Sequence, residues 1–350
     1  MTLPTLDPGR ARELVGRFDR LPILVAGDVM LDRFIVGRVT RISPEAPVPI
    51  VRFESEYVRL GGAANVAHNI AALGGQAMLV GVVGEDQAAA RLRSELAAAG
   101  ISCDGLVVDP SRPTTEKVRV VTERNQQVAR VDYEREGDVS GGIEQELVGR
   151  IRQCARGAAA LLASDYLKGA ITRGVIEALL AGRKSRTTPF VVDPKIPHLT
   201  GYAGASLVTP NVHEAEIATH RRIRTDEDAR EAARDFRSRA SCDGVLITRG
   251  EHGMWLSAGG VEGAIAAHAR EVSDVTGAGD TVVATLALAL AAGATVAEAA
   301  VLANCAAGVV VGKFGAATLS PAELLAALGS ALGSAWGSSA WGSDTSPTPI

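Results

Sequence analysis

The apolar positions of this chain fall into brief continuous runs separated by longer stretches of helical period. Ile23–Ala26, residues 77–83, Ala158–Ala163, Phe190–Val192, Ser206–Val208 and Gly244–Ile247 are runs of the kind that form strands buried on both faces. Between them apolar residues recur every three or four positions. This spacing predicts helices over 8–19, 87–99, 142–156, 172–182, 226–240, 281–292 and 296–311, and one more opened by Gly61-Gly62. A repeated strand–helix rhythm predicts an α/β fold with a central, mostly parallel sheet flanked by helices.

Two regions break the rhythm. Residues 42–53 carry three prolines among β-formers, which confines them to an edge strand or an excursion from the sheet. Residues 114–134 alternate as two strands around a turn near Glu123–Asn125. Together, at about 40–55 and 112–135, they predict a small β-lid inserted into a single domain spanning 1–328. Residues 329–350 nearly repeat Gly-Ser-Ala-Trp-Gly-Ser, so a low-complexity, disordered tail is expected there.

Composition fits this picture. The 350 residues are 47% apolar but only 4% aromatic, which suits closely packed helices on a parallel sheet. A net charge of −4 gives no reason to expect nucleic acid or an anionic membrane as a partner. Cys103, Cys154, Cys242 and Cys305 show no metal-type spacing, which argues against structural zinc and against a disulfide framework. There is no signal-peptide pattern, and the longest apolar runs fall short of the roughly 20 residues a spanning helix needs. A cytoplasmic protein is expected.

In an open parallel sheet, ligands gather at the carboxyl ends of the strands. Here those ends carry Asp28 with Asp32, Asp165 with Lys168, Asp193 with Lys195, Asn211 with Glu214, and Thr248 with Gly250 and Gly253. The sharpest cluster is Asp274-Val-Thr-Gly277-Ala278-Gly279-Asp280, which follows a short strand-like run and feeds an apolar helix. Such a turn aims backbone N–H groups at one point, and the helix dipole adds to their field. A base beside an anion hole is what phosphoryl transfer to an alcohol needs, and Asp280 sits at the mouth. The same stretch also reads as an ordinary glycine turn with Asp280 capping the helix. As a helix-terminal carboxylate, Asp280 is expected to be a weak base.

Each further candidate has two readings. Asp28 and Asp32 hydrogen-bond sugar hydroxyls, or serve turns and caps. Asn211 and Glu214 share one face at a helix start, where they hold Mg²⁺ directly or through water, or simply cap the helix. Gly61 and Gly62 admit a ligand close to the backbone, with Asn65 in the turn that follows. Lys117, Arg119 and Arg130 bind an anionic substrate group across the lid, or are solvated. No GxGxxG follows the first strand, which weighs against a dinucleotide-binding dehydrogenase. A non-catalytic sugar or nucleotide sensor is the rival from another class.

Taken together, the Gly-Gly pair with Asn65, Asn211-x-x-Glu214 and Asp274–Asp280 make residues 20–328 resemble the ribokinase-like carbohydrate kinase family. Within it, the likeness is to the branch that acts on heptose phosphates. It is carried by Gly27-Asp-Val-Met-Leu-Asp32, Arg41-Ile-Ser-Pro-Glu-Ala-Pro-Val-Pro49, Gly61–Ala67, Asn125-Gln-Gln with Arg130, Ser164-Asp-Tyr with Lys168, Asp193-Pro-Lys195 and Val310–Lys313. The resemblance implies that ATP, with Mg²⁺, phosphorylates the anomeric 1-OH of D-glycero-β-D-manno-heptose 7-phosphate on the way to ADP-heptose and lipopolysaccharide. It implies Asp280 as base and the backbone of Gly277, Ala278 and Gly279 as anion hole. Asn211 and Glu214 would serve magnesium, and Lys195, Thr248, Gly250, Gly253 and Asn304 the nucleotide. Asp28, Asp32, Gly61, Gly62 and Asn65 would hold the sugar, with Asp165 and Lys168 beside them. A monovalent cation such as K⁺ would sit near Asp274, and a homodimer would form through the lid.

The chain departs from the family pattern twice. Many relatives continue into a nucleotidyltransferase domain where this chain has its low-complexity tail, so adenylyl transfer is expected from another protein. Gly315-Ala-Ala-Thr318 stands where relatives have Gly-Thr before a further Thr, which alters detail in the cation or nucleotide pocket.

Overall fold

The computed structural model describes residues 6–336, apart from 186, 269–271 and 314. In chain order the helices are α1 (Pro8–Gly16), α2 (Ala63–Ala72), α3 (Gln87–Ala98), α4 (Gly141–Ala155), α5 (Arg173–Gly182), α6 (Val212–Thr219), α7 (Asp226–Ala240), α8 (Ala278–Ala291), α9 (Val296–Val310) and α10 (Pro321–Trp336). The strands are β1 (Pro22–Gly27), β2 (Val29–Ile42), β3 (Pro49–Gly62), β4 (Gln76–Val83), β5 (Leu106–Val108), β6 (Glu116–Thr122), β7 (Gln127–Tyr133), β8 (Ala160–Ser164), β9 (Phe190–Asp193), β10 (Leu207–Val208), β11 (Gly244–Thr248), β12 (Met254–Ala258) and β13 (Val261–Ile265).

Nine strands form the main sheet in the order β13-β12-β11-β10-β9-β8-β1-β4-β5. Neighbours from β11 to β5 run parallel, while β12 and β13 add an antiparallel edge. The apolar runs feed two cores because successive strand residues point to opposite faces. In β1, Ile23 and Val25 enter the core shared with α2, α8 and α9, while Leu24 and Ala26 enter the one shared with α4, α5 and α7. β8 divides its residues the same way, with Ala160 and Leu162 on one side and Leu161 and Ala163 on the other. Burial of each leucine or isoleucine contributes roughly 1.5–3 kcal/mol.

The lid is a separate four-stranded sheet in the order β3-β2-β6-β7. It is larger than the sequence pattern suggests. β2 starts at Val29, directly after β1, and pairs with β3 along a long hairpin interrupted by bulges after Val36 and Val39. Pro44 and Pro47 lie in its tip and Pro49 opens β3, because proline cannot donate to a ladder. Helix α10 runs on through Trp336, past the expected boundary at 328. The rest of the proposed tail, 337–350, lies outside the described residues, as does 269–271 in the run before Asp274. Among the described residues no helix is long and apolar enough to cross a membrane.

Candidate active site

Asp280 lies in the first turn of α8 and is 6% exposed. Gly277 precedes the helix at φ +79°, where a side chain is strained and a Cβ would come within 2.8 Å of Asn65 Nδ2. Of Gly277, Ala278 and Gly279, expected to form an anion hole, Ala278 has its N–H engaged within the turn. The N–H of Ala278 donates to Val275 O at 3.2 Å. Gly279 and Asp280 belong to the first turn, whose N–H groups have no partner within a helix. A Cβ built on Gly279 meets no atom within 4 Å, so its surroundings are open.

Asp280 is held from two distant parts of the chain. Asn65 Nδ2 donates to Oδ2 at 2.6 Å and the Tyr166 hydroxyl donates to Oδ1 at 2.7 Å. Burial raises its carboxyl to about 6, against these two hydrogen bonds, which stabilise the charged form. The charge of Asp32 raises it further and that of Lys195 lowers it. The helix-terminal position alone predicts a weak base, and burial acts in the other direction. Withdrawal from water brings the Asp280 carboxyl closer to neutral pH.

Two other carboxylates accept several hydrogen bonds from within the protein. Asp28 is 2% exposed and accepts from the backbone N–H groups of Tyr166 at 2.7 Å, Lys168 at 3.0 Å and Ala170 at 2.8 Å. It fixes the loop that carries Tyr166. Asp165 is fully buried and accepts from the Tyr202 hydroxyl, the Leu167 N–H and His198 Nδ1. Gly61 and Gly62 are also required by the protein itself. A Cβ on Gly61 would meet Met30 and Asp32, and one on Gly62, at φ +53°, would lie 2.4 Å from Asp28 O. The close approach there is made by β2.

On the lid, Asp32 is ion-paired with Arg119, and Arg130 with Asp132 at 2.9 Å. Lys168 pairs with Glu134 at 2.9 Å. Lys117 is half-buried on β6, opposite Asp32 in register.

Behind Asp280, two cavities meet at Thr248, Gly279 and Val282. The larger, about 550 Å³, is mostly apolar, with Met254, Val275, Ala307 and Val311 in its walls. Gly250, Gly253 and Asn304 line it, and Asn304 Nδ2 donates to Ala266 O at 2.8 Å. A Cβ on Gly253 would fall 2.0 Å from Ile265 O, so that glycine is set by the β-hairpin beside it.

The smaller cavity, about 220 Å³, is lined by Tyr166, Asp193, Lys195, Asn211 and Glu214. Asn211 and Glu214 form a reciprocal cap on α6. Asn211 Oδ1 accepts from Glu214 N at 2.9 Å, and a Glu214 oxygen accepts from Asn211 N at 3.0 Å. The other Glu214 oxygen pairs with Lys195. The pair is a helix cap that also forms part of the wall of the charged cavity. Burial, then the charge of Asp280, pushes the Asp193 carboxyl well above its ordinary range. Among the described residues no three His, Cys, Asp or Glu side chains are grouped to hold a metal ion. Mg²⁺ keeps most of its waters and takes phosphate oxygens, so it fits beside Asp193, Asn211 and Glu214 without such a cage.

Asp274 accepts from Thr276 N at 2.9 Å and from Gly315 N at 3.0 Å. Burial opposes its ionisation, but these N–H groups outweigh it and hold the carboxyl below its ordinary value. It ties the glycine turn to the 315 loop. Tyr166 and Asp193 had no assigned role in the sequence. The signal available was their place in Ser164-Asp-Tyr and Asp193-Pro-Lys, directly after strands β8 and β9.

An apolar cavity thus joins a charged one beside the N-terminus of α8, which carries Asp280. Residues 22–323 match the pfkB family carbohydrate kinase, and the chain belongs to that family, whose members move a phosphoryl group from ATP to a sugar. The chain is 45% identical to the bifunctional protein HldE of Geobacter metallireducens over 308 residues, which is 87% of this chain and 62% of that protein. It is 46% identical to that of Pseudomonas aeruginosa over 88% of this chain and 64% of the other. It therefore spans under two thirds of the length of these relatives. Among solved structures, Arabidopsis thaliana ribokinase complexed with ribose and ATP covers 88% of this chain and 99% of its own, with TM-score 0.68 and 21% identity. Escherichia coli phosphofructokinase-2 in complex with potassium covers 89% and 99%, with TM-score 0.72 and 20% identity. These two share the fold, as the strand–helix rhythm predicts.

Proposed function

We propose that this chain transfers the γ-phosphoryl group of ATP to the anomeric 1-OH of D-glycero-β-D-manno-heptose 7-phosphate, giving the 1,7-bisphosphate used on the way to ADP-heptose and lipopolysaccharide. The observation that carries the reaction type is Asp280, buried beside the N-terminus of α8 with its carboxyl raised to about 6. The sugar is inferred from the motifs at 27–49, 61–67 and 125–130, and the similarity to HldE proteins supports it.

The base and ribose of ATP occupy the apolar cavity, and its phosphates reach past Gly279 into the charged one. Bound Mg²⁺ would neutralise charge on the phosphates. Asn211 and Glu214 would hold it through water, since their oxygens already serve the helix cap and Lys195, with Asp193 beside them. Lys195 adds positive charge on the same wall. Asp32 faces the sugar, and Asn65 keeps Asp280 oriented toward the attacking hydroxyl. As the oxygen–phosphorus bond forms, Asp280 takes the hydroxyl proton. With the reacting groups in line, positioning and charge supply most of the rate.

A K⁺ ion near the 274–276 turn and the 315 loop is part of the proposal. Both Asp274 oxygens are engaged, so backbone carbonyls would supply its ligands. A homodimer through the lid is proposed as well, on the exposed Ile42, Val48 and Phe53. Purified protein incubated with ATP, Mg²⁺ and a panel of ribose, fructose, heptose and their phosphates tests the substrate. The heptose 7-phosphate is expected to have the highest kcat/KM, with phosphorus NMR placing the new group on C1. Preference for another sugar, or transfer to another hydroxyl, contradicts the reading.

A further inference from the structure

The lid register places Asp32 of β2 opposite Arg59 of β3 and Lys117 of β6, with Asp132 of β7 next across. Directly opposed residues project from the same face of a sheet. Two positions further along, that face carries Phe34, Tyr57, Arg119 and Arg130. It looks onto the active site. The charge of Asp32 is felt by Asp280 and that of Arg119 by Asp274. Arg59 Nε would lie 3.0 Å from a Cβ on Gly315, in the loop bound to Asp274.

The four cations of this face are not equivalent. Arg119 is neutralised by Asp32 and Arg130 by Asp132. Elsewhere on the lid, Arg33 pairs with Glu116 and Arg38 with Glu123. Arg59 and Lys117 are in no ion pair among the described residues. The Arg59 Nε is buried without a hydrogen-bond partner. Its guanidinium rests 5.5 Å from the Tyr57 ring centroid, and Tyr57 stacks on Phe34 at 4.8 Å with the rings 9° from parallel. A half-buried guanidinium held in place with its donors unspent is prepared for an anion. Arg59 and Lys117 flank Asp32 on either side, so their Cα atoms stand about 10 Å apart, two strand spacings. A phosphate monoester fits between side chains of that reach, and two unpaired cations match its charge.

We infer that Arg59 and Lys117, and not Arg130, form the subsite that reads the phosphate of the acceptor sugar, distal to the hydroxyl that reacts. This rests on the sugar-phosphate kinase reading above. Tyr57 and Phe34 fix the guanidinium, and the pairing with Arg119 offsets the charge of Asp32, which lies between the two cations.

The test compares kcat/KM for phosphorylated and free forms of each sugar in the panel, using the full chain and its Arg59→Met, Lys117→Met and Arg59→Lys variants. For the best phosphorylated acceptor, Arg59→Met and Lys117→Met are expected to lose about 10- to 100-fold, with little change for the free sugar. Arg59→Lys is expected to keep the charge and recover part of the loss, which separates the effect from misfolding. If another sugar phosphate replaces the heptose but discrimination still depends on Arg59, the heptose reading falls and the subsite stands. The subsite is overturned if both forms lose equally, if discrimination is lost in Arg130→Met instead, or if the best acceptor carries no phosphate.

Discussion

The Tyr166 hydroxyl donates a 2.7 Å hydrogen bond to Asp280 Oδ1 across 114 residues of sequence. The bond favours the charged carboxylate and so lowers a pKa that burial raises to about 6. Asp280 must be ionised to accept a proton, so kcat/KM is expected to fall as pH drops below about 6. In Tyr166→Phe that acid limb should move upward by about 0.5–1 pH unit, with activity lost at pH 6 and largely kept at pH 8. An unmoved limb would show that Tyr166 does not tune the base.

Asp28 should behave as a structural residue. Replacing it with alanine leaves three N–H groups in the 166–170 loop without their acceptor. Asp28→Ala is expected to cost about 3–5 kcal/mol and lower Tm by roughly 4–7 °C. If Asp28 instead held sugar, the variant would raise KM for the sugar and leave Tm in place.

The two glycines at the head of α8 should respond in opposite ways. Gly277→Ala strains a positive φ and pushes against Asn65, so stability should fall by about 1–2 kcal/mol and turnover with it. Gly279→Ala meets no protein atom within 4 Å and should leave Tm nearly unchanged. Its methyl enters the wall shared by both cavities, so KM for ATP should rise about 10-fold. A reversed pattern in thermal melts and ATP kinetics would move the anion hole elsewhere.

Much of the fold was legible because buried parallel strands and amphipathic helices leave strong local patterns. Ile23–Ala26 and the apolar helix after Asp280 are examples. The lid was harder. β2 continues from β1 after one residue, and only pairing with β3 and β6 defines where the main sheet ends. Asp280 stood out through its glycines, but the rise of its carboxyl to about 6 did not. That depends on burial and on Asn65 and Tyr166, which are remote in sequence. Asp28 and Asp32 look alike in the chain. One meets three backbone N–H groups and the other meets Arg119, and only tertiary structure separates them. Arg130 stood within the expected lid, whereas Arg59 lies beyond its expected limit at about 55 and joins it only because β3 continues to Gly62; the two differ in whether a carboxylate pairs with them.

Turnover of Asp280→Asn, measured beside its affinity for ATP, tests the assignment of the base most directly. The substitution keeps the size of the side chain and removes its basicity. With saturating sugar phosphate and Mg·ATP at pH 8, kcat is expected to fall by about 10³-fold, while the Kd for ATP stays within about twofold. Turnover at the wild-type rate would contradict the account.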